Sequence, residues 1–332
     1  MILFRTKRNA YLFALATLLL IVAKMPAQNA PTAAPERPRI TGISHVGYFV
    51  SDLPRALDFW HGLLGFDEMY VLNKPDAEKS GTDQVRIAFI KINDRQHVEL
   101  FTDPPTSPPN MMSHLCFSVS NVDQMRAYLR SKGIDVKPGN GSKTRTGDDA
   151  FEIKDPDGTL IEFVQTLPTG WEAQAKGKFL PETRISDGIY HVGFLVGNAE
   201  KSLHFYEDIL GFKETWRGGR DPKVLSWINL RVPDGTDYIE LMLYAKLPAT
   251  YGTQNHTSLQ VPDMQKAIAE LESRPVYKSY GKPLEMHVGV NGKRQVNLYD
   301  PDGTRVELME PFTADGKPVP SSSAPPPPPA HN

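Results

Sequence analysis

The strongest restriction on the fold of this chain is that its sequence repeats. Around residue 45 it runs Ile43-Ser44-His45-Val46-Gly47-Tyr48-Phe49-Val50, then Leu53-Pro54-Arg55-Ala56-Leu57-Asp58-Phe59-Trp60, then Leu63-Leu64-Gly65-Phe66. The same order of residue types returns as Ile189-Tyr190-His191-Val192-Gly193-Phe194-Leu195-Val196, then Ala199-Glu200-Lys201-Ser202-Leu203-His204-Phe205-Tyr206, then Ile209-Leu210-Gly211-Phe212. Two shorter echoes begin at Ser113-His114-Leu115-Cys116-Phe117 and Asn255-His256-Thr257-Ser258-Leu259, and each leads into a stretch of helical period, 122–132 and 264–273.

The local physics of one unit follows from its residues. Alternating Val46, Tyr48 and Val50 predict a half-buried strand. Asn198 can cap the helix that follows, and Leu203, Tyr206 and Leu210 fall on one helical stripe. Gly65 and Gly211 stand where a helix ends in a left-handed residue, which costs least without a Cβ. Three further strand-like runs complete each unit, and Asp155-Pro156-Asp157-Gly158 and Asp300-Pro301-Asp302-Gly303 are turn sequences between the last two strands. The pattern is βαβββ, four times over, an α+β fold.

The repeat, the histidine on each first strand and the Asp-Pro-Asp-Gly-x-x-(Val/Ile)-Glu of the second and fourth copies resemble the vicinal oxygen chelate superfamily, which holds glyoxalases, bleomycin-resistance proteins and extradiol dioxygenases. The resemblance covers about residues 40–312. It implies two tandem modules, each a cupped mixed sheet with flanking helices, made from two units around a metal. The expected boundaries are a signal peptide over 1–27, a disordered stretch over 28–39, module one over 40–168, a linker over 169–187, module two over 188–312 and a disordered Pro-rich tail over 313–332.

Each first strand carries a histidine and each last strand a glutamate flanked by apolar neighbours. Such a residue points away from its neighbours, toward the cup, and a carboxylate buried there calls for a cation. Two imidazoles with two carboxylates suit Fe, Mn, Ni, Co or Zn. By resemblance, module one would hold one divalent ion with His45, Glu99, His114 and Glu162, and module two another with His191, Glu240, His256 and Glu307. The competing expectation is a metal-free barrel that keeps the eight side chains as hydrogen-bonding groups. His287 and Tyr299, upstream of Glu307, are candidate proton-transfer groups or else packing residues, and they make module two the expected working site. His97 shares the inward face of Glu99, whereas His61, His204 and His331 lie away from the cups.

The resemblance implies a small-molecule substrate with vicinal oxygens and three competing functions. The first is glyoxalase- or epimerase-like proton transfer through a metal-stabilised enediolate, with Glu240 and Glu307 as bases. The second is extradiol dioxygenase chemistry with Fe(II) at His191, His256 and Glu307. The third is non-catalytic small-molecule binding of the bleomycin-resistance kind.

Charge is nearly balanced, with 37 basic and 39 acidic residues, which argues against nucleic acid as a partner. Arg5, Lys7 and Arg8 precede a run from Ala10 to Ala23 that is apolar apart from Thr17. That run falls short of the roughly 20 residues a bilayer requires. It predicts export to the periplasm or beyond, with no stable membrane insertion after cleavage. The single cysteine, Cys116, lies in an alternating apolar run and is expected to be a buried thiol.

Overall fold

The computed structural model describes residues 34–76, 84–103, 111–137, 142–251 and 253–329; the expected signal peptide lies outside them. Four βαβββ units follow one another. The first has β1 (Ile40–Phe49), a helix from Leu53 to Leu63, β2 (Glu68–Asn73), β3 (Val85–Asn93) and β4 (Gln96–Phe101). The second has β5 (Met112–Val119), a helix at Val122–Ser131, β6 (Ser142–Lys143), β7 (Asp149–Lys154) and β8 (Leu160–Gln165). A short helix, Trp171–Gln174, precedes the third unit: β9 (Ile189–Val196), a helix from Ala199 to Ile209, β10 (Lys213–Gly218), β11 (Trp227–Arg231) and β12 (Tyr238–Leu243). The fourth has β13 (His256–Gln260), a helix at Met264–Ser273, a turn of helix at Tyr277–Tyr280, β14 (His287–Val288), β15 (Lys293–Tyr299) and β16 (Arg305–Thr313).

Each pair of units closes into one eight-stranded sheet. The orders are β2-β3-β4-β1-β5-β8-β7-β6 and β10-β11-β12-β9-β13-β16-β15-β14. Within a unit the first and last strands pair in parallel, and the two units join antiparallel through their first strands. The four histidine strands and the four glutamate strands are therefore the central strands of the two sheets.

Short-range chemistry repeats with the fold. All four long helices begin at an Asp or Asn whose side chain accepts from the backbone N–H three residues on: Asp52, Asn121, Asn198 and Asp263. Gly65 and Gly211 end two of them at a φ of 79°. The helices of units one and three are not purely α. Leu64 N–H reaches back to the Phe59 carbonyl (2.9 Å) and Leu210 N–H to that of Phe205 (3.0 Å), which is a π turn. The wider turn buries adjacent residues, Phe59 with Trp60 and Phe205 with Tyr206, which a 3.6-residue stripe would not align. In the Asp-Pro-Asp-Gly turns Asp155 Oδ1 accepts from Asp157 and Thr159, and Asp300 Oδ1 from Asp302 and Thr304.

One hydrophobic core, on the sheet faces away from the cups, runs through both modules. Phe117 of unit two meets Phe212 of unit three with centroids 5.3 Å apart, and Phe59 of unit one meets Tyr280 of unit four at 6.1 Å. Polar locks accompany the packing. The Tyr48 hydroxyl lies 2.7 Å from Thr257 Oγ1, and the Tyr206 hydroxyl donates to Asp155 at 3.0 Å.

The described residues of segments expected to be loose make defined contacts. Arg37 pairs with Asp234 at 3.2 Å. In the tail, Ser322 N–H donates to the Arg217 carbonyl (2.9 Å), Leu225 N–H to the Pro325 carbonyl (3.0 Å), and Ala324 packs against the core. Proline lacks a donor but keeps its carbonyl, so an extended Pro-rich segment can still accept a hydrogen bond, here at Pro325 from Leu225 in the connection between β10 and β11. The stretch expected to be a linker is likewise anchored, and its role emerges at the site.

Candidate metal centres

In module one, β1 carries His45, β4 carries His97 and Glu99, β5 carries His114 and β8 carries Glu162. Alternation on central strands turns all five toward the cup. His45 stands opposite His97 on one side and Cys116 on the other, and Cys116 stands opposite Glu162. His45 Nε2 lies 3.0 Å from His114 Nε2 and 2.9 Å from Glu162 Oε2. His114 Nε2 lies 3.4 Å from Glu162 Oε2 and 3.6 Å from Glu99 Oε2, and His45 Nε2 lies 3.9 Å from Glu99 Oε1. The four expected side chains thus converge on one point, and His97 adds a fifth donor 3.6 Å from Glu99. Burial works against charge here, yet the Glu162 and Glu99 carboxylates push His114 up to about 9. Against the same burial, the two imidazoles hold Glu162 well below the usual carboxylate range.

Module two repeats the arrangement with fewer compensations. His191 Nε2 lies 3.1 Å from His256 Nε2 and 3.6 Å from Glu307 Oε1, while Glu240 Oε2 lies 3.7 Å from His256 Nε2. Ser258 Oγ, in the place of Cys116, donates to Glu307 at 3.0 Å. Burial and the neighbouring Glu307 raise Glu240 to about 8. Two buried carboxylates facing neutral imidazoles are short of positive charge, which a divalent cation would supply. The donor chemistry fits such an ion in both modules. Three groups of ligand atoms, His45/His114/Glu162, His45/His97/Glu99 and His191/His256/Glu307, each lie within 4.8 Å of one another.

Neighbouring residues shape both centres. Gly47 lies beneath the His114 ring and Gly193 beneath the His256 ring, so closely that a Cβ would collide with each imidazole. The glycine of His-Val-Gly is therefore part of the centre. His97 stacks on His45 with centroids 4.5 Å apart, and Tyr238 stacks on His191 at 4.7 Å. Burial lowers His97 to about 3, so it stacks as a neutral ring.

Above the module-one cluster lies a cavity of about 280 Å³ with a wall of Met69, Leu72, Ile87, Phe89 and Phe101. The supposed linker closes it. Trp171 packs on Tyr70 and Phe89, and Ala175 is fully buried. The buried Lys91 ammonium binds the Ala175 carbonyl and Asp94, whose carboxylate also accepts from Gly177 N–H. Glu172 lines the same cavity and accepts from Thr166 Oγ1 at 2.9 Å. Burial raises it to about 7, with Asp148 adding to the rise. Nothing in the periodicity of the sequence distinguished Glu172 from a spacer residue.

The other expected groups are distributed differently. His287 is exposed on β14 but lines a cavity of about 240 Å³ together with Glu240 and Glu307. Tyr299 does not reach the centre. It is the last residue of β15, where Lys282 sits over its ring (5.4 Å), and it lines a separate cavity with Tyr280 and Lys282. His61 lies 2.9 Å from the Phe66 carbonyl and His204 2.8 Å from Asp208, both outside the cups. Cys116 is fully buried on the inner face beside Glu162, and burial pushes its thiol well up. Sequence reading missed Arg305, which stands two residues before Glu307 and whose Nη2 contacts Gln254 O (3.1 Å) and His256 Nδ1. Its signal was the same two-residue alternation that exposes His97.

The Glyoxalase/Bleomycin resistance protein/Dioxygenase superfamily model matches residues 42–163 and 188–308. The chain belongs to that superfamily. Among relatives within it, the glyoxalase I of Saccharomyces cerevisiae is 25% identical over 61% of this chain and 64% of its own length. A lactoylglutathione lyase of Arabidopsis thaliana is 27% identical over 51% of this chain and 54% of its own. The chain therefore spans less than two thirds of these superfamily members. The fold is shared with a Mn(II)-bound glyoxalase from Novosphingobium aromaticivorans, at a TM-score of 0.60 and 19% identity over 85% of both chains. It is shared equally with a variant of homoprotocatechuate 2,3-dioxygenase from Brevibacterium fuscum, at a TM-score of 0.60 and 15% identity over 89% of this chain and 77% of that one.

Proposed function

We propose that this protein is a divalent-metal-dependent enzyme of the superfamily that moves a proton on a small substrate bearing two adjacent oxygens. The observation that carries this reading is the clustering, in each module, of two imidazoles and two carboxylates beside a small cavity that the carboxylates line. His45, Glu99, His114 and Glu162 would hold one ion, and His191, Glu240, His256 and Glu307 a second. A bound divalent ion supplies Lewis-acid polarisation of a carbonyl oxygen.

The protein's own residues supply the rest. Glu99 and Glu162, and Glu240 and Glu307, are the carboxylates placed to take and return a proton. The apolar wall of module one, closed by Trp171, excludes water from that exchange. The names of the yeast and plant relatives favour proton transfer over other chemistry.

A second reading has its own observation. In each module a tight group holds two histidines and one carboxylate, His45/His114/Glu162 and His191/His256/Glu307, with the second glutamate 3.6 or 3.7 Å from a histidine nitrogen, and two histidines with one carboxylate is the set of Fe(II) oxygenases. The test is to supply metal and assay the hemithioacetal of methylglyoxal with glutathione, and catechols in an oxygen electrode. Thioester formation without O₂ uptake supports proton transfer. Ring cleavage with O₂ uptake replaces it by the second reading. A protein that takes up no metal and turns over neither overturns the enzyme reading in favour of ligand binding.

A further inference from the structure

The two centres carry nearly the same ligands but opposite surroundings. Around the module-one cavity, Asp148, Glu152 and Glu172 accompany the cluster, and both guanidiniums there are engaged, Arg86 with Asp103 at 2.8 Å and Arg145 with the Asn73 carbonyl at 3.0 Å. The module-two cavity of about 240 Å³ instead brings Arg220 and Arg305 together with Glu240 and Glu307, and Trp216 and Trp227 are also in its lining. Arg305 forms no ion pair among the described residues, and its Nε is buried without a hydrogen-bond partner. Arg220 likewise has no carboxylate partner among them, and its guanidinium lies 5.6 Å from the Trp227 ring centroid. The place of Arg305, two residues before the last-strand glutamate, is held in module one by Leu160.

Charge then decides the ligand. A divalent ion cancels the two carboxylates, so the guanidiniums leave this cavity positive, and a half-buried guanidinium with a free N–H requires an acceptor. The volume lies below the 300–1,000 Å³ usual for drug-sized ligands, so the occupant is small. The two indoles in the lining favour an aromatic one.

We propose that the module-two cavity is a binding subsite for a small planar carboxylate, with Arg305 and Arg220 as its anion contacts. This rests on the reading of module two as a metal centre, and it adds the substrate class. Because Arg305 also touches His256, it could act only by positioning that ring, and the test must separate the two roles.

The experiment is calorimetric titration of the metal-supplied full-length protein with benzoate and with benzamide, and metal content is measured on the same samples. Benzoate binding that weakens with salt, falls tenfold or more in Arg305→Gln and several-fold in Arg220→Gln, and keeps its metal supports the subsite. Equal binding of benzamide, or metal lost together with benzoate in Arg305→Gln, overturns it. If Arg305→Gln does not fold, the exposed Arg220→Gln decides, and unchanged benzoate affinity there is contradictory. Benzoate needs no turnover, so an inactive protein that binds it defeats only the enzyme reading. An active protein that ignores it defeats only the subsite.

Discussion

The imidazole of His256 lies over the α-carbon of Gly193 so closely that any Cβ there would strike the ring. Gly47 stands in the same relation to His114. Both glycines come two residues after a first-strand histidine, so one short motif places a donor and clears the space for its partner. Gly193→Ala should turn His256 aside and lower metal affinity in module two by about 10–100-fold, with module one unaffected. Gly47→Ala should do the reverse. Isothermal titration of the apoprotein with Mn(II) or Zn(II) measures this, and two intact sites in either variant would refute the placement.

The pH dependence of stability should carry a mark of Glu172. Its carboxyl is raised to about 7 by burial, above its value in the unfolded chain. The folded state therefore binds the extra proton. The contribution is fully present below the unfolded pKa and is lost as pH rises through about 7. Glu172→Gln should remove the loss, so that the variant gains on the order of 1–2 kcal/mol over wild type between pH 5 and pH 8. Denaturant melts at the two pH values test it; parallel behaviour of the two proteins would mean that Glu172 is solvated rather than held in the cavity.

Much of this molecule was legible in its sequence because repetition checks itself. The strands of His45, His114, His191 and His256, the Asn198 cap and the glycine helix ends follow from local rules that four copies obey together. Three features escaped for physical reasons. The π turns shift burial by one residue, and no period announces them. Tyr299 shares a strand with the inward-facing Asn297, but it sits at the strand end, beyond the centre. The 169–187 segment and the tail have polar or proline-rich compositions typical of free chain. They are ordered by partners distant in sequence, Lys91 and Asp94 for one and Arg217 and Leu225 for the other.

The docked tail makes its own prediction. Removing residues 320–332 deletes the contacts of Ser322 and Pro325 and uncovers Leu225, which is 1% exposed. These two bonds, the third that Arg217 N–H gives to Ser321 Oγ at 3.3 Å, and a little apolar cover predict a loss of about 2–4 kcal/mol. An unchanged urea midpoint in the truncated protein would mean that the tail is a free strap.

The most direct test of the paired centres is metal content per chain, measured by elemental mass spectrometry on untagged protein and on Glu162→Ala and Glu307→Ala. Two equivalents in the wild type, falling to one in each variant, is the expected result. No metal after reconstitution, or equal metal in all three proteins, would contradict it and leave the eight side chains as a hydrogen-bonding network.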